Sequence, residues 1–441
     1  MINSYVEKTI ANLSARYPEQ REFIQAVSEV LTSVSMVFDL HPEYETYSIL
    51  ERITEPERAI SFKVVWKDDM GKIQVNRGYR IQFNGVLGPY KGGLRFNPTV
   101  NLSVLKFLAF EQTFKNALTT LPLGGGKGGS DFDPKGKSDN EIMRFCESFM
   151  MELYRHIDQF TDVPAGDMGV GAREINYLYG AYRRLRGNHE LGVLTGKTVG
   201  YGGSLLRTEA TGYGLLYFVL EMANYHNIKL EGLRTIVSGS GNVGIYAALK
   251  AQELGMKVVG ISDSQGYIID EDLDLIKVKD IKEKHLSLSE YGSCYYKGSI
   301  YDSSILVDVA LPCGKENEID LKRAENLVNN GLKLLAEGAN MPTTFEVANY
   351  FKDHNVIYAI GKASNAGGVA TSGIEMSQNS MRMYFEADQV DQMLKKIMHD
   401  IHQQIVDTIV EYDLDKNDYL LATNICAFNK VVKGMIMQGE Y

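Results

Sequence analysis

Four cysteines in 441 residues, Cys146, Cys294, Cys313 and Cys426, are too few and too scattered to frame a fold. None forms a C-x-x-C pair, which argues against a disulfide framework or a thiolate metal site and leads us to expect free thiols in a reducing cytoplasm. His-Glu-x-x-His is missing as well. His399 and His402 are spaced to share a helix face but have no cysteine nearby, so a polar helix face is expected there and no metal. No apolar run approaches the ~20 residues of a membrane span. Residues 1–8, MINSYVEK, lack the apolar core of a secretory signal. A formal net charge of −10 leaves no basic excess for general binding to nucleic acid or a membrane surface, and neither partner is expected.

What remains is a chain of ordinary soluble composition, 44% hydrophobic and 23% charged. It exceeds the roughly 250–300 residues at which single cores stop growing, so more than one domain is expected. Its most informative stretch is Leu121-Pro122-Leu123-Gly124-Gly125-Gly126-Lys127-Gly128-Gly129-Ser130. Glycines let a backbone approach a ligand closely, and Lys127 has no neighbouring side chains to shield it. The run is not a P-loop: that motif needs G-x-x-x-x-G-K-[ST], and here Leu121 holds the first glycine position and Gly128 follows the lysine. A glycine-rich loop is expected. Lys91, in Gly88-Pro89-Tyr90-Lys91-Gly92-Gly93, and Lys115 lie upstream. Three cations from separate elements would suit a small, doubly anionic substrate.

The first fifty residues carry helical patterns, followed by a hairpin from Ile60–Lys67 through Asp68-Asp69-Met70-Gly71 to Ile73–Phe83. Its second strand alternates, with Ile73, Val75, Tyr79, Ile81 and Phe83 on one side, which predicts a half-buried strand. A helix over 102–118 puts Gln112 and Lys115 on one face, while Glu111 stands four residues before Lys115. Ligand contact and a surface ion pair with Glu111 are both open for Lys115. Helices are also predicted over 140–157 and 173–185. Asp167, in the turn Asp162–Gly171, reads either as an acid at the start of the second of these helices or as an acid/base partner for a lysine. Gly192–Gly203 reads as an interdomain hinge.

In the second half, Arg234–Ser238 reads as a strand, Gly239-Ser240-Gly241-Asn242-Val243-Gly244 as a turn, residues 242–256 as a helix and 257–262 as a second strand ending at Asp263. This is G-x-G-x-x-G in strand–turn–helix context, with an acid 19 residues after the last glycine, and it predicts a dinucleotide site. The helix N-terminus would offer amide hydrogens to a pyrophosphate. Strand-like runs at 306–311, 332–337 and 356–360 continue a parallel, doubly wound sheet, and long helices close the chain.

Taken together, Gly88-Pro89-Tyr90-Lys91-Gly92-Gly93-Leu94-Arg95-Phe96, Glu111–Ser130, Asp162–Gly171, Arg207–Gly214, Ser238–Gly244, Ala336–Thr344 and Lys362–Gln378 resemble the glutamate dehydrogenases of the hexameric Glu/Leu/Phe/Val dehydrogenase family, with the small bacterial-type subunit. The stretches span nearly the whole chain. The resemblance implies an α/β fold of two domains with closing C-terminal helices. Residues 1–200, with 412–441 packing back, would form a mixed-sheet substrate-binding and oligomerisation domain, and 201–411 a Rossmann-type domain. It implies reversible reductive amination of 2-oxoglutarate by ammonia to L-glutamate, in a cytoplasmic homohexamer whose domains close on the hinge.

By matching position, Lys91 and Ser372 would hold the distal carboxylate, with Ser377 a nearby alternative to the serine. Lys115 and Gln112 would hold the α-carboxylate, and the Gly166 backbone would add a contact. Lys127 would be the catalytic lysine, its pKa lowered by neighbouring cations, and Asp167 its acid/base partner. Thr211, Gly239, Ser240, Gly241, Asn242, Val243 and Asn340 would touch the cofactor. On the simple rule, an acid at Asp263 favours NAD. The NADP-dependent members instead carry Asp-Ser and a later basic residue, matched here by Asp263-Ser264 and Lys282, although His285 stands where they have an arginine. NADP is expected, with NAD the alternative. A branched-chain or aromatic amino-acid dehydrogenase and a non-catalytic dinucleotide sensor are the other readings.

Overall fold

The computed structural model of the protein describes residues 2–439. The hairpin forms as β1 (Arg58–Lys67) and β2 (Ile73–Asn84), antiparallel and in register from Arg58↔Gln82 to Lys67↔Ile73. The one-sided alternation does not hold. Ile73 and Val75 are 59% and 62% exposed, whereas Tyr79 to Asn84 are all buried, Arg80 and Gln82 included. The reason is position in the sheet. From Gly78 onward β2 also pairs with β4 (Gly124–Ser130), so its second half runs through the sheet interior.

The glycine run is therefore a strand, not a loop. With β3 (Tyr90–Phe96) and β5 (Asp162–Gly166) it completes a five-stranded mixed sheet in the order β1-β2-β4-β3-β5, in which β3 runs parallel to both β4 and β5. Glycine is ordinarily depleted from strands, but it marks places where another chain segment comes close. Here the helix Leu102–Leu118 lies on β4, and a Cβ at Gly125 would sit 2.6 Å from the Thr113 Cα. Asn116 of that helix donates to the carbonyls of Lys91 and Gly124, at 3.0 and 2.6 Å, tying it to both strands.

Beside the sheet, the helix Asp139–Leu153 opens on a capping box between Ser138 and Glu141. It buries Phe145 and Phe149 with Trp66, Phe96 and Phe132, and the Phe132 and Phe145 rings stack at 3.8 Å. Each such side chain contributes roughly 1.5–3 kcal/mol by burial. The next helix, Ala172–Arg186, begins after Gly171. Asp167 is not at its start but in the turn after β5, closed by the Val170 amide on the Asp167 carbonyl at 2.8 Å. Gly192–Gly203 packs against neighbouring segments: the Thr195 amide donates to Pro164 O at 3.0 Å and Lys197 pairs with Glu375 at 2.8 Å, both side chains of that pair fully buried.

By chain contacts the first unit runs to Leu205 and includes Ser372–Val390 and the segment from Asn424 onward; the second comprises Leu206–Thr371 and Asp391–Thr423. The second unit's sheet holds β6 (Arg234–Ser238), β7 (Lys257–Ser262), β8 (Gly266–Ile269), β9 (Tyr295–Lys297), β10 (Val309–Pro312), β11 (Leu334–Ala336) and β12 (Ile357–Ala359). Its order is β12-β11-β10-β6-β7-β8-β9, parallel from β12 to β7 and antiparallel beyond. The strand order reverses between β6 and β10, which is where doubly wound sheets bind ligands.

Among the closing helices, Tyr419–Gln438 has a mean hydropathy of 1.2, apolar and long enough to span a membrane by composition. It buries Ile425, Phe428, Val431 and Val432 in the protein core. His399 and His402 do not form one polar face. His399 pairs with Glu221 at 3.0 Å, while His402 is buried 3.1 Å from the Tyr419 hydroxyl, and burial lowers its pKa to about 4. Gly125→Ala is expected to destabilise the protein by about 1–3 kcal/mol, because neither Thr113 nor β4 can yield without losing sheet or helix contacts. A denaturant unfolding curve checks this.

Candidate active site

Adjacent strands bring the catalytic candidates together. Lys127 projects from β4, Arg95 from the neighbouring β3, and Asp167 from the turn after β5, on the far side of β3. Lys127 Nζ lies 3.0 Å from Asp167 Oδ2, and Arg95 Nε donates to the same oxygen at 3.0 Å. Lys127 is buried and Asp167 about a quarter exposed. Loss of water is the largest influence on Lys127 and lowers its pKa; Arg95 and Arg80 push the same way, and Asp167 opposes them. Burial would raise the Asp167 pKa, yet the charges of Lys127 and Arg95 overcome it and bring it down to about 2. The lowering of Lys127 thus comes first from burial and then from two arginines, not from its fellow lysines. Arg80 is itself fully buried against Asp162, donates from Nη1 to Gly92 O at 3.0 Å, and shares Asp162 with Gln82.

Lys91, nearly inaccessible on β3, donates to Val163 O at 3.0 Å and to Thr195 Oγ1 at 2.6 Å. Gly166, at the end of β5, stands opposite Leu94 of β3. Gln112 and Lys115 are half-buried on the helix packed against β4, where Gln112 Nε2 donates to Asn116 Oδ1 at 2.7 Å. Ser372 is buried in the first unit, in the helix Gly367–Met381 that also carries Glu375. Ser377 is exposed and its hydroxyl bonds back to Gly373 O at 3.1 Å. Sequence reasoning missed Arg95, Thr195, and the Arg80–Asp162 and Lys197–Glu375 pairs. For Arg95 a signal existed: residues 91, 93 and 95 alternate along one strand and share a face.

In the second unit, Gly239 to Gly244 link β6 to the helix Asn242–Glu253. Gly241 precedes that helix without any side-chain cap, and nothing lies within 4 Å of the Cβ it lacks. Open space before uncapped amides fits a pyrophosphate. Thr211 lies on the helix Ala210–Tyr225, and exposed Asn340 accepts from Asn365 Nδ2 at 3.0 Å. At the end of β7, Asp263 accepts the amides of Gln265 (2.9 Å), Gly266 (3.1 Å) and Leu288 (3.2 Å) and lies 3.6 Å from Lys282 Nζ. Burial works to raise its pKa, but these bonds and Lys282 hold it below the usual range. Ser264 and His285 are exposed close by in sequence. Among the described residues, no group of three or more His, Cys, Asp or Glu side chains is arranged to hold a metal ion.

A buried lysine ion-paired to an aspartate in one α/β unit and a G-x-G-x-x-G turn in the other fit a dinucleotide-dependent amino-acid dehydrogenase. The family model for Glutamate/Leucine/Phenylalanine/Valine dehydrogenase matches residues 202–439, and that for the Glu/Leu/Phe/Val dehydrogenase dimerisation domain matches 56–184. The chain belongs to this family, an NAD(P)-dependent oxidoreductase family. It is 50% identical over 443 residues to the NADP-specific glutamate dehydrogenase of Escherichia coli strain K12, covering 98% of each chain. It is 51% identical over 448 residues to the NADP-specific glutamate dehydrogenase of Giardia intestinalis, again covering 98% of each. Among solved structures, a glutamate dehydrogenase superposes with a TM-score of 0.95 at 47% identity over 99% of both chains. The Plasmodium falciparum enzyme gives 0.94 at 48% identity, covering 99% of this chain and 96% of that one.

Next to Asn340, Glu337 is fully buried at the end of β11. It accepts from the Thr343 hydroxyl, from Tyr358 OH at 2.6 Å and from the Gly361 amide at 2.7 Å. Burial raises its pKa to about 7 despite these donors. In the unfolded chain the group ionises near its ordinary value, so the folded protein holds an extra proton between that value and 7. Stability from this group is therefore fully present below the unfolded pKa and lost as pH rises to about 7. Glu337→Gln should flatten the fall in unfolding free energy between about pH 4.5 and 7, measured by urea titration.

Proposed function

We propose that the protein is an NADP-dependent glutamate dehydrogenase that reductively aminates 2-oxoglutarate with ammonia to L-glutamate, reversibly. The observation that carries this reading is the ion pair at 3.0 Å between the buried Lys127 and Asp167, one strand away from the buried ammonium of Lys91. The first unit then serves substrate binding and oligomerisation, and the second binds the dinucleotide.

In this reading Lys91 and Ser372 meet the distal carboxylate, which relatives acting on apolar amino acids would not require. Lys115 and Gln112 meet the α-carboxylate, and the Gly166 backbone adds a contact. The Lys127 ammonium polarises the keto oxygen and steadies the charge that develops there when ammonia adds. Asp167, ionised because Lys127 and Arg95 face it, accepts a proton from the incoming ammonia. Lys127 gives its proton to the former keto oxygen, and Asp167 returns the one it took to the resulting hydroxyl, which releases water and leaves an iminium ion. The nicotinamide, when bound, supplies the hydride. Lys127 is suited to proton exchange because burial brings its pKa closer to neutrality than that of an exposed lysine.

The pyrophosphate would lie over Gly241 at the amides of the helix Asn242–Glu253, with Thr211, Gly239, Ser240, Asn242, Val243 and Asn340 around the cofactor. The choice of NADP is supported by the state of Asp263. Its charge is already answered by three amides and Lys282, so it does not present the free carboxylate that would repel a 2′-phosphate. Ser264 and Lys282 would contact that phosphate. Assembly as a homohexamer belongs to the same reading, and the exposed apolar side chains of the β1–β2 hairpin, Val65, Met70, Ile73 and Val75, support a contact surface there. A cytoplasmic location goes with the same reading.

Following NADPH absorbance with 2-oxoglutarate and ammonium tests the reading. Lys127→Ala should lower turnover by about 10³-fold or more, while NADPH binding, read by fluorescence, persists. Turnover at the wild-type level in that variant would remove the assigned role. Lys282→Ala should weaken the KM for NADPH by about tenfold, the worth of one charge-assisted hydrogen bond. Its kinetics with NADH should stay near those of the wild type.

A further inference from the structure

Arg95 takes no direct part in the chemistry above, yet it bonds the same Asp167 oxygen as Lys127, each nitrogen at 3.0 Å. From this shared oxygen we infer that Arg95 is a positioning residue that neutralises Asp167 in place of Lys127, and so frees Lys127 to exist as an uncharged amine. The inference rests on the proposed role of Lys127 in proton exchange.

In a site largely shielded from water, charge balance decides which groups keep their protons. A lysine paired only with an aspartate cannot easily give up its proton there, because a carboxylate shielded from most of the solvent would be left without a counter-charge. Arginine stays charged at all working pH values. With Arg95 in place, the cluster carries a net charge of +1 while Lys127 is protonated and none after it loses the proton. Burial therefore favours the loss instead of opposing it. The directions agree: Lys127 is held below its ordinary pKa while Asp167 remains ionised down to about 2.

The other charges facing the cluster do not supply this balance. Arg80, from β2, acts on Lys127 in the same sense, but its own charge is met by Asp162 of β5 at 2.9 Å from Nε. The helix Leu102–Leu118 on β4 carries both Glu111 and Lys115, whose opposite charges leave the net balance unchanged, and Lys91 of β3, positive like Arg95, is held by Val163 O and Thr195 Oγ1. A purely structural role for Arg95 is poorly supported, because backbone bonds already anchor the Asp167 turn. The Phe96 amide donates to Met168 O at 2.9 Å, and the Val170 amide to Asp167 O at 2.8 Å.

Reductive methylation of the full-length protein by formaldehyde and cyanoborohydride, quantified at Lys127 by peptide mass spectrometry across pH, reads the free amine directly. The labelling midpoint should rise by about one pH unit or more in Arg95→Met and Arg95→Gln. In Arg95→Lys, which keeps the charge, it should stay within about half a unit of the wild type. Asp167→Asn should move it downward, because the charge that holds the proton is gone. In active variants, the pH profile of kcat/KM should shift with the labelling midpoint. An unchanged midpoint in both neutral variants, or an equal rise in Arg95→Lys, overturns the inference. Should both neutral variants fail to fold, Asp167→Asn decides, and a midpoint that stays or rises overturns it. Absence of turnover with 2-oxoglutarate in the wild type would defeat the proposed function while leaving the labelling midpoints to judge Arg95.

Discussion

Removing an ammonium group from water is costly, and the first unit is arranged around keeping one there. Lys127 sits on an inner strand and is buried, so its charge must be answered by protein groups rather than solvent. Asp167 answers it at 3.0 Å, and Asp167 is in turn held by Arg95. Arg80, on β2, is likewise met by Asp162, so two ion-paired sets lie in the strand interior. Such sets contribute little net stability. What they provide is a lysine whose proton affinity is lowered by its surroundings, which is what proton exchange near neutral pH demands.

The glycines of β4 follow from the same requirement. Placing a lysine in the middle of a sheet, with a helix lying directly on the strand, leaves no room for side chains on either side of it. Gly125 lies against Thr113, and Asn116 of the same helix reaches the carbonyls of Gly124 and Lys91. The stretch trades strand propensity for close approach, and the neighbouring strands and helix compensate for the loss. The first unit thus supports the lysine by rigid packing.

The second unit solves a different electrostatic problem, the binding of an anionic dinucleotide. Uncapped amides at the helix Asn242–Glu253 and the open space over Gly241 favour negative charge. Asp263 would work against it if its carboxylate faced outward. Three backbone amides and Lys282 instead draw that carboxylate into the loop after β7, so an acid at this position need not mean a preference for a ribose hydroxyl.

Local grammar was enough to read the second unit's β6–turn–helix–β7 and the helix Leu102–Leu118, because strand and helix periodicity and glycine punctuation act over short distances. It also picked out Lys127, Asp167 and Lys91 as unusual residues, and the family to which their stretches belong. It misread β4 as a loop and placed Asp167 at the start of a helix, because each depends on what packs alongside. Pairing Lys127 with Asp167, adding Arg95 to that pair and seating Thr195 on Lys91 were decided only by the strand order β4-β3-β5 and the segments folded against it. The amino-acid order sets local conformation and residue chemistry. Which charges end up facing one another, and how much water is left between them, is set by packing between segments distant in the chain, and that is what governs proton affinity.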